Sequence, residues 1–195
     1  MRRIVLLRHG RTEANDRWLY CGSTDLPLSP GGREELSALQ RRGGYPDITD
    51  LPVFTSGMRR TEETLTILYG DMPHTAVPDL REMDFGVFEM HSYEQLKDDA
   101  AYRAWCDGDN DANRAPGGES GRIMRRRVLE GFDALCRDND SFLLVSHGGP
   151  IAAIMAKLFP EENKNRFEWQ PGNGRGYVIE MDERLRSWRA VPEEG

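Results

Sequence analysis

The chain has 195 residues, 38% of them hydrophobic, and a formal charge of −7 from 26 Lys and Arg against 33 Asp and Glu. That length suits one domain spanning 1–195 with an ordinary core. The acidic balance excludes the broad basic face of a non-specific nucleic-acid binder, yet allows a small, locally positive site for an anion. The three cysteines, Cys21, Cys106 and Cys136, are odd in number and lack a CxxC spacing. A disulfide framework is therefore not expected, and a reducing cytoplasm is.

The first predicted element is RIVLL, residues 3–7. Its β-branched and Leu-rich run has no alternation, which marks a strand buried on both faces, as in a parallel sheet. The apolar stretch is only Ile4 to Leu7, far short of a signal segment or membrane span, so no membrane partner is expected. Ser29 followed by Pro30 opens a helix as N-cap and first residue, with Leu36 and Leu39 inward and Gly43-Gly44 as the stop. PVFTS (52–56) reads as a short strand. RTEETLTILYG then reads as a helix with Leu65 and Leu68 inward and Gly70 closing it. SYEQLKDDAAYRAW gives a weaker helical signal. ESGRIMRRRVLEGFDALCRD gives a strong one, with Met124, Val128, Phe132 and Leu135 on one face and Arg122, Arg125, Arg126 and Arg127 mostly toward solvent. SFLLVS is another apolar strand, followed by a helix carrying Pro150 near its start. YVIEM and WRAV close the chain as strands. Strands alternating with helices predict a three-layer α/β/α fold on a mostly parallel sheet.

Two of these strands end alike. LLRHG and LVSHGG each run from an apolar strand through a His and a Gly into a helical segment. Ligands in open α/β sheets bind at the carboxyl ends of strands, so His9 and His147 are expected at one edge. Gly10 and Gly148 let the backbone turn and approach a ligand closely, and exposed N–H groups there favour an anion. The third strand end adds Arg59 or Arg60. With Arg8 and the two histidines it makes a positive pocket in a negative protein, suited to the bidentate grip of Arg on phosphoryl oxygens. His74 and His91 lack this context and are expected on the surface. GNGRGY (172–177) lacks the setting of a phosphate loop and reads as an ordinary connection. No metal-ligand spacing occurs, and no cofactor is implied.

In order, LLRHGRTEAN, TSGMRRTEET, LREMDFGVFE, PGGES and VSHGG resemble the histidine phosphatase superfamily, also called phosphoglycerate mutase-like, over residues 4 to about 152. The resemblance implies that Arg8 and His9 are the family's RHG pair and that Ser56 and Arg60 match its Ser-x-x-x-Arg pattern. Glu82 then falls on its acid, His147 on its second histidine and Asn15 on a phosphate-contacting Asn. Thr12 and the Cys21-Gly22 segment fall on a stretch lining the site, beside Gly148. The implied chemistry is attack by neutral His9 on phosphorus. Arg8, Arg60 and His147 hold the phosphoryl oxygens, and Glu82 protonates the leaving oxygen before activating water. The ligand is a small phosphorylated metabolite; the oligomeric state is not implied.

Three activities compete within that resemblance. Cofactor-dependent mutases look like LxERHYGxLxGxxK after the acid. Here Asp84 stands at the His and Phe85 at the Tyr, so the phosphohistidine is expected to pass to water. A binding protein with a dead site is the weakest alternative, since each catalytic position holds the required residue type. LYCGSTDLPLSPGG is similar to a stretch of α-ribazole phosphatases. Residues 84–118 are expected to form a cap that reads the leaving group, with Tyr93, Trp105 and Arg114 as contacts, Phe88 as an aromatic wall and Met90 as added bulk at the rim.

Overall fold

The computed structural model describes residues 1–109, 111–182 and 186–192. In chain order its elements are β1 (Arg2–Arg8), α1 (Glu13–Asp16), α2 (Pro30–Arg42), β2 (Val53–Thr55), α3 (Arg59–Tyr69), β3 (Thr75–Ala76), α4 (Tyr93–Leu96), α5 (Ala100–Cys106), α6 (Gly121–Asp138), β4 (Phe142–Ser146), α7 (Gly148–Leu158), β5 (Gly176–Met181) and β6 (Arg186–Val191). The strands form one sheet in the order β3-β2-β4-β1-β5-β6.

β1 and β4 lie at the centre, and their unbroken apolar sequences follow from burial on both faces. Ile4, Leu6 and Leu144 join Phe132, Ile151 and Met155 on one side. Val5, Leu7, Leu143 and Val145 join Leu36 and Leu65 on the other. Helices α6 and α7 thus cover one face and α2 and α3 the opposite one, giving three layers. Each fully buried Leu or Ile contributes roughly 1.5–3 kcal/mol.

The β1–β4, β4–β2 and β2–β3 pairs are parallel. The β1–β5 and β5–β6 pairs are antiparallel, so the last two strands form a hairpin-like edge on an otherwise parallel sheet. The register decides where the site lies. Arg8 pairs with Ser146, and Thr55 pairs with Val145. The residues that follow, His9, His147 and Ser56, therefore leave the sheet at one edge.

The caps follow their sequence signals. Ser29 Oγ accepts the Gly32 N–H at 3.1 Å to start α2, and Gly43 closes it at φ 80°. The stretch 92–106 is two helices rather than one. Ser92 and Gln95 form a capping box that starts α4, and Asp99 accepts the Tyr102 N–H to start α5. Two strong caps seven residues apart divide what periodicity alone would merge. β3 was absent from the predicted elements because two exposed residues carry no periodic signal.

Two of the α6 arginines, though partly exposed, are tied to other segments. Arg125 makes a bidentate pair with Asp111, both bonds 2.8 Å. Arg127 turns inward to the segment around Glu82. Within 84–118, Phe88, Leu96, Tyr102 and Ala115 pack as a separate small cluster with Tyr20, Phe85 and Trp105 against it. Phe88 is buried inside this cluster, not on a pocket wall. Met90 has a φ of 61°, the left-handed region where glycine is the unstrained choice, so this residue bears on the backbone and not only on bulk at the rim.

Candidate active site

β1 ends by delivering His9 into the gap between β4 and the 172–175 turn. The His9 N–H donates to Ser146 O at 3.1 Å, and the His9 carbonyl accepts from Gly174 N, also at 3.1 Å. The ring is fixed as well. Nδ1 lies 2.7 Å from the Gly10 carbonyl, which only accepts, so Nδ1 carries the hydrogen and Nε2 keeps its lone pair. Gly10 is held in turn by its N–H to Thr64 Oγ1 at 2.9 Å.

His147 stands beside it, with ring centroids 5.1 Å apart and planes at 63°. Its Nδ1 faces Arg60 Nε at 3.3 Å, and its Nε2 faces Ser56 Oγ at 2.8 Å. A guanidinium only donates, so Nδ1 accepts and Nε2–H donates to Ser56. Both imidazoles are pushed well below the ordinary histidine range. Burial is the largest cause, followed by Arg60; Arg8 acts on both as well.

The two arginines come from different strand ends. Arg60 is fully buried, donating to Thr24 O at 2.9 Å and Gly22 O at 2.7 Å. Arg8 donates from Nη1 to Pro171 O at 2.8 Å, while its Nε is buried with no partner among the described residues. A buried donor without an acceptor costs about 1–3 kcal/mol, a deficit that an anion would remove. Burial lowers the pKa of both arginines, and the charge of Glu82 opposes the shift. Arg59 is exposed and uses its backbone N–H on Asp25, so of the two candidates Arg60 is the one in the site.

Glu82 approaches from the far side. Its Oε2 accepts the Gly149 N–H and its Oε1 the Met83 N–H, both at 3.0 Å. A Cβ on Gly149 would overlap Glu82 Oε1, so only glycine admits the carboxyl there. Gly148 lies against Arg8, whose Cζ would be 3.3 Å from an added Cβ.

Thr12 and Asn15 form a capping box that starts α1. Asn15 Oδ1 collects Thr12 N–H at 3.0 Å and Asn173 Nδ2 at 3.4 Å. The Thr12 hydroxyl is thus committed to Asn15. Gly22 contributes through its backbone. The Cys21 thiol, pushed up to about 11 chiefly by burial, is half-buried and 3.6 Å from Thr24 O. Gly22 supplies a carbonyl to Arg60, and a Cβ there would overlap the Met83 carbonyl oxygen.

Several contributors escaped the sequence reading. Glu89 gathers Gly22 N, Ser23 N, Thr24 N, Thr24 Oγ1 and Phe85 N, which holds the loop whose carbonyls grip Arg60. Asn173 donates to His9 O at 3.1 Å, so GNGRGY is a support for the RHG turn rather than an ordinary connection. Its only available signal was adjacency to a strand whose direction the sequence does not reveal. A cavity of about 360 Å³ opens beside Glu82 and Gly149, walled by Tyr20, Phe85, Trp105 and Met124. Trp105 lies on it; Tyr93 and Arg114 do not, and Arg114 Nε donates to Gly118 O.

The profile of the histidine phosphatase superfamily (branch 1) matches residues 4–192. The chain belongs to the histidine phosphatase superfamily. It is 30% identical over 200 residues to the adenosylcobalamin/alpha-ribazole phosphatase of Escherichia coli (strain K12), covering 97% of this chain and 95% of that one. It is 34% identical over 167 residues to the enzyme of the same name from Salmonella typhimurium, covering 80% and 79%. The crystal structure of the alpha-ribazole phosphatase from Shigella flexneri superposes with a TM-score of 0.80 at 28% identity, covering 98% of this chain and 96% of that one. This histidine phosphatase is a phosphomonoesterase, in line with these relatives and not with the mutase alternative. None of its described helices is long and apolar enough to cross a membrane.

The paired neutral histidines have a measurable cost. In the unfolded chain each takes up a proton near the ordinary value of 6.5. The folded state binds fewer protons, so stability falls as pH drops below about 6.5, with a limiting slope near 2.7 kcal/mol per pH unit for two sites. His74 has its pKa raised by the Met72 carbonyl and Glu62; its stabilising effect is already complete below that pH and leaves the slope unchanged. Urea melts between pH 7.5 and 5.5 measure this. A flat profile would mean that the folded protein carries charged histidines.

Proposed function

We propose that the enzyme hydrolyses a small phosphorylated metabolite without a metal, through a phosphohistidine on His9. The observation that carries this is the bare Nε2 of a neutral His9, fixed by the Gly10 carbonyl and flanked by Arg8, Arg60 and His147. Nε2 attacks phosphorus in line, and the bond from phosphorus to the leaving oxygen breaks. Arg8 and Arg60 stabilise the charge on the equatorial oxygens, each charge-assisted bond being worth about 1.5–3 kcal/mol. Glu82 gives its proton to the leaving oxygen. A water then attacks phosphorus, Glu82 takes the water proton, the P–N bond breaks and inorganic phosphate leaves.

We further infer a substrate of the α-ribazole 5′-phosphate kind, with residues 84–118 acting as the cap over its leaving group. The cavity beside Glu82 is large for a three-carbon acid and is walled by aromatic rings, which suits a flat, ring-bearing leaving group. Asp84, where mutases carry a His, accepts from Ser23 Oγ and Gly86 N and so serves the local turn.

Two assays test this. Across a panel of phosphate esters, α-ribazole 5′-phosphate should show the highest kcat/KM; faster conversion of 3-phosphoglycerate to its 2-isomer than phosphate release would restore the mutase. Because cationic side chains already neutralise the phosphoryl group, activity should persist after EDTA treatment. A loss restored by Mg²⁺ or Zn²⁺ would overturn the metal-independent mechanism.

A further inference from the structure

We propose that Arg127 is a positioning residue for the proton-transfer step, holding the Glu82 turn at the distance the leaving oxygen requires. The proposal rests on Glu82 being the acid. Arg127 lies at the end of the second turn of α6, 45 residues beyond Glu82 in sequence. Its Nη1 donates to Asp79 O at 2.7 Å and Arg81 O at 3.1 Å. Its Nη2 donates to Glu82 O at 3.2 Å and Glu119 Oε2 at 2.7 Å, and its Nε to Glu119 Oε1 at 3.0 Å. A guanidinium has five N–H donors, and these five bonds occupy all of them.

The bonds bracket the acid. Three carbonyls on its N-terminal side and at Glu82 itself are gathered by one planar group. On its C-terminal side, Glu119 accepts the Asp84 N–H at 3.1 Å and pairs its own N–H with Asp84 O at 2.8 Å. Leu80 O, the remaining carbonyl of the turn, accepts from Ser146 Oγ at 2.7 Å, which ties the turn to β4. The helix is seated at a fixed height, because a Cβ on Gly131 would come 3.0 Å from Asp79 Cβ. The backbone from 79 to 84 therefore has little freedom, and the carboxyl it carries meets Gly149 N–H in one place. Lysine offers its donors from a single point and cannot span these acceptors.

Proton transfer tolerates little displacement, and misplacement by about 1 Å costs on the order of 10²-fold. The test compares an alkyl phosphate, which needs its leaving oxygen protonated, with 2,4-dinitrophenyl phosphate, which does not. In the full chain, Arg127→Met should lower kcat/KM about 100-fold for the alkyl ester and less than about 3-fold for the dinitrophenyl ester. Arg127→Lys and Glu119→Gln should show the same split at about 10-fold, and they serve as the test if Arg127→Met does not fold. A variant that loses both esters equally marks a structural role only and overturns the proposal, as does one that loses neither. Glu82→Gln is measured alongside. If it shows the split and the folded Arg127 variants do not, the positioning role alone falls; if it shows none, the acid assignment falls first.

Discussion

His9→Ala should abolish turnover, with kcat falling more than about 10⁵-fold, and should leave no acid-labile phosphoenzyme. The expected loss is this large because, among the described residues, no other group at the site is a free nucleophile. His147 has both ring nitrogens engaged, one by Arg60 and one by Ser56. The Cys21 thiol is held protonated by burial, which keeps it from acting as a thiolate. The phosphate-binding groups remain in the variant, so inorganic phosphate should still bind it. Measuring turnover, rapid-quench labelling and phosphate affinity together separates a lost nucleophile from a collapsed pocket. Labelling that survives in His9→Ala would place the covalent step on another residue.

Glu82→Gln should slow esters with poor leaving groups by about 10²–10⁴-fold while sparing activated aryl phosphates. The amide is nearly isosteric and its oxygen still accepts one of the two backbone N–H bonds that orient the carboxylate, from Gly149 and Met83. Its NH₂ opposes the other donor, so a modest loss of alignment adds to the lost proton. A substrate series of falling leaving-group pKa reads the effect as a steeper slope than wild type. An equal loss across the series would remove Glu82 from the acid role. Glu89 is a poor replacement, since its carboxylate is saturated by five donors from the 22–24 loop and Phe85.

The elements that position the chemistry were legible because they rest on local rules. The run Ile4 to Leu7, the Ser29-Pro30 start of α2, and the strand-His-Gly layout repeated at His9 and His147 each encode their structure within a few residues. Arg60 over Arg59 was resolved only by resemblance, and the fold then gave the reason: one side chain points into the sheet edge and its neighbour away. What was not legible depends on partners far along the chain. Arg127 reads as one of four solvent-facing arginines until its carbonyl acceptors, 45 to 48 residues away, come into place. Asn173 supports His9 across 164 residues, through a strand whose antiparallel direction no periodicity signals. Arg114 and Tyr93 have the right chemistry for a substrate contact, but the first lies off the cavity with its Nε on Gly118 O and the second faces solvent.

The saturated Glu89 carboxylate limits how substrate preference can be re-engineered. The described residues of 84–118 carry no strand of the central sheet, which makes the stretch look exchangeable between relatives as a module. Yet Glu89, inside that stretch, is what pins the 22–24 loop, and that loop's carbonyls orient the guanidinium of Arg60. A transplanted segment that reads a new leaving group but lacks a carboxylate at this position would arrive with its own specificity and dismantle the phosphate grip beneath it. Chimeras should therefore be cut so that Glu89 stays with the recipient.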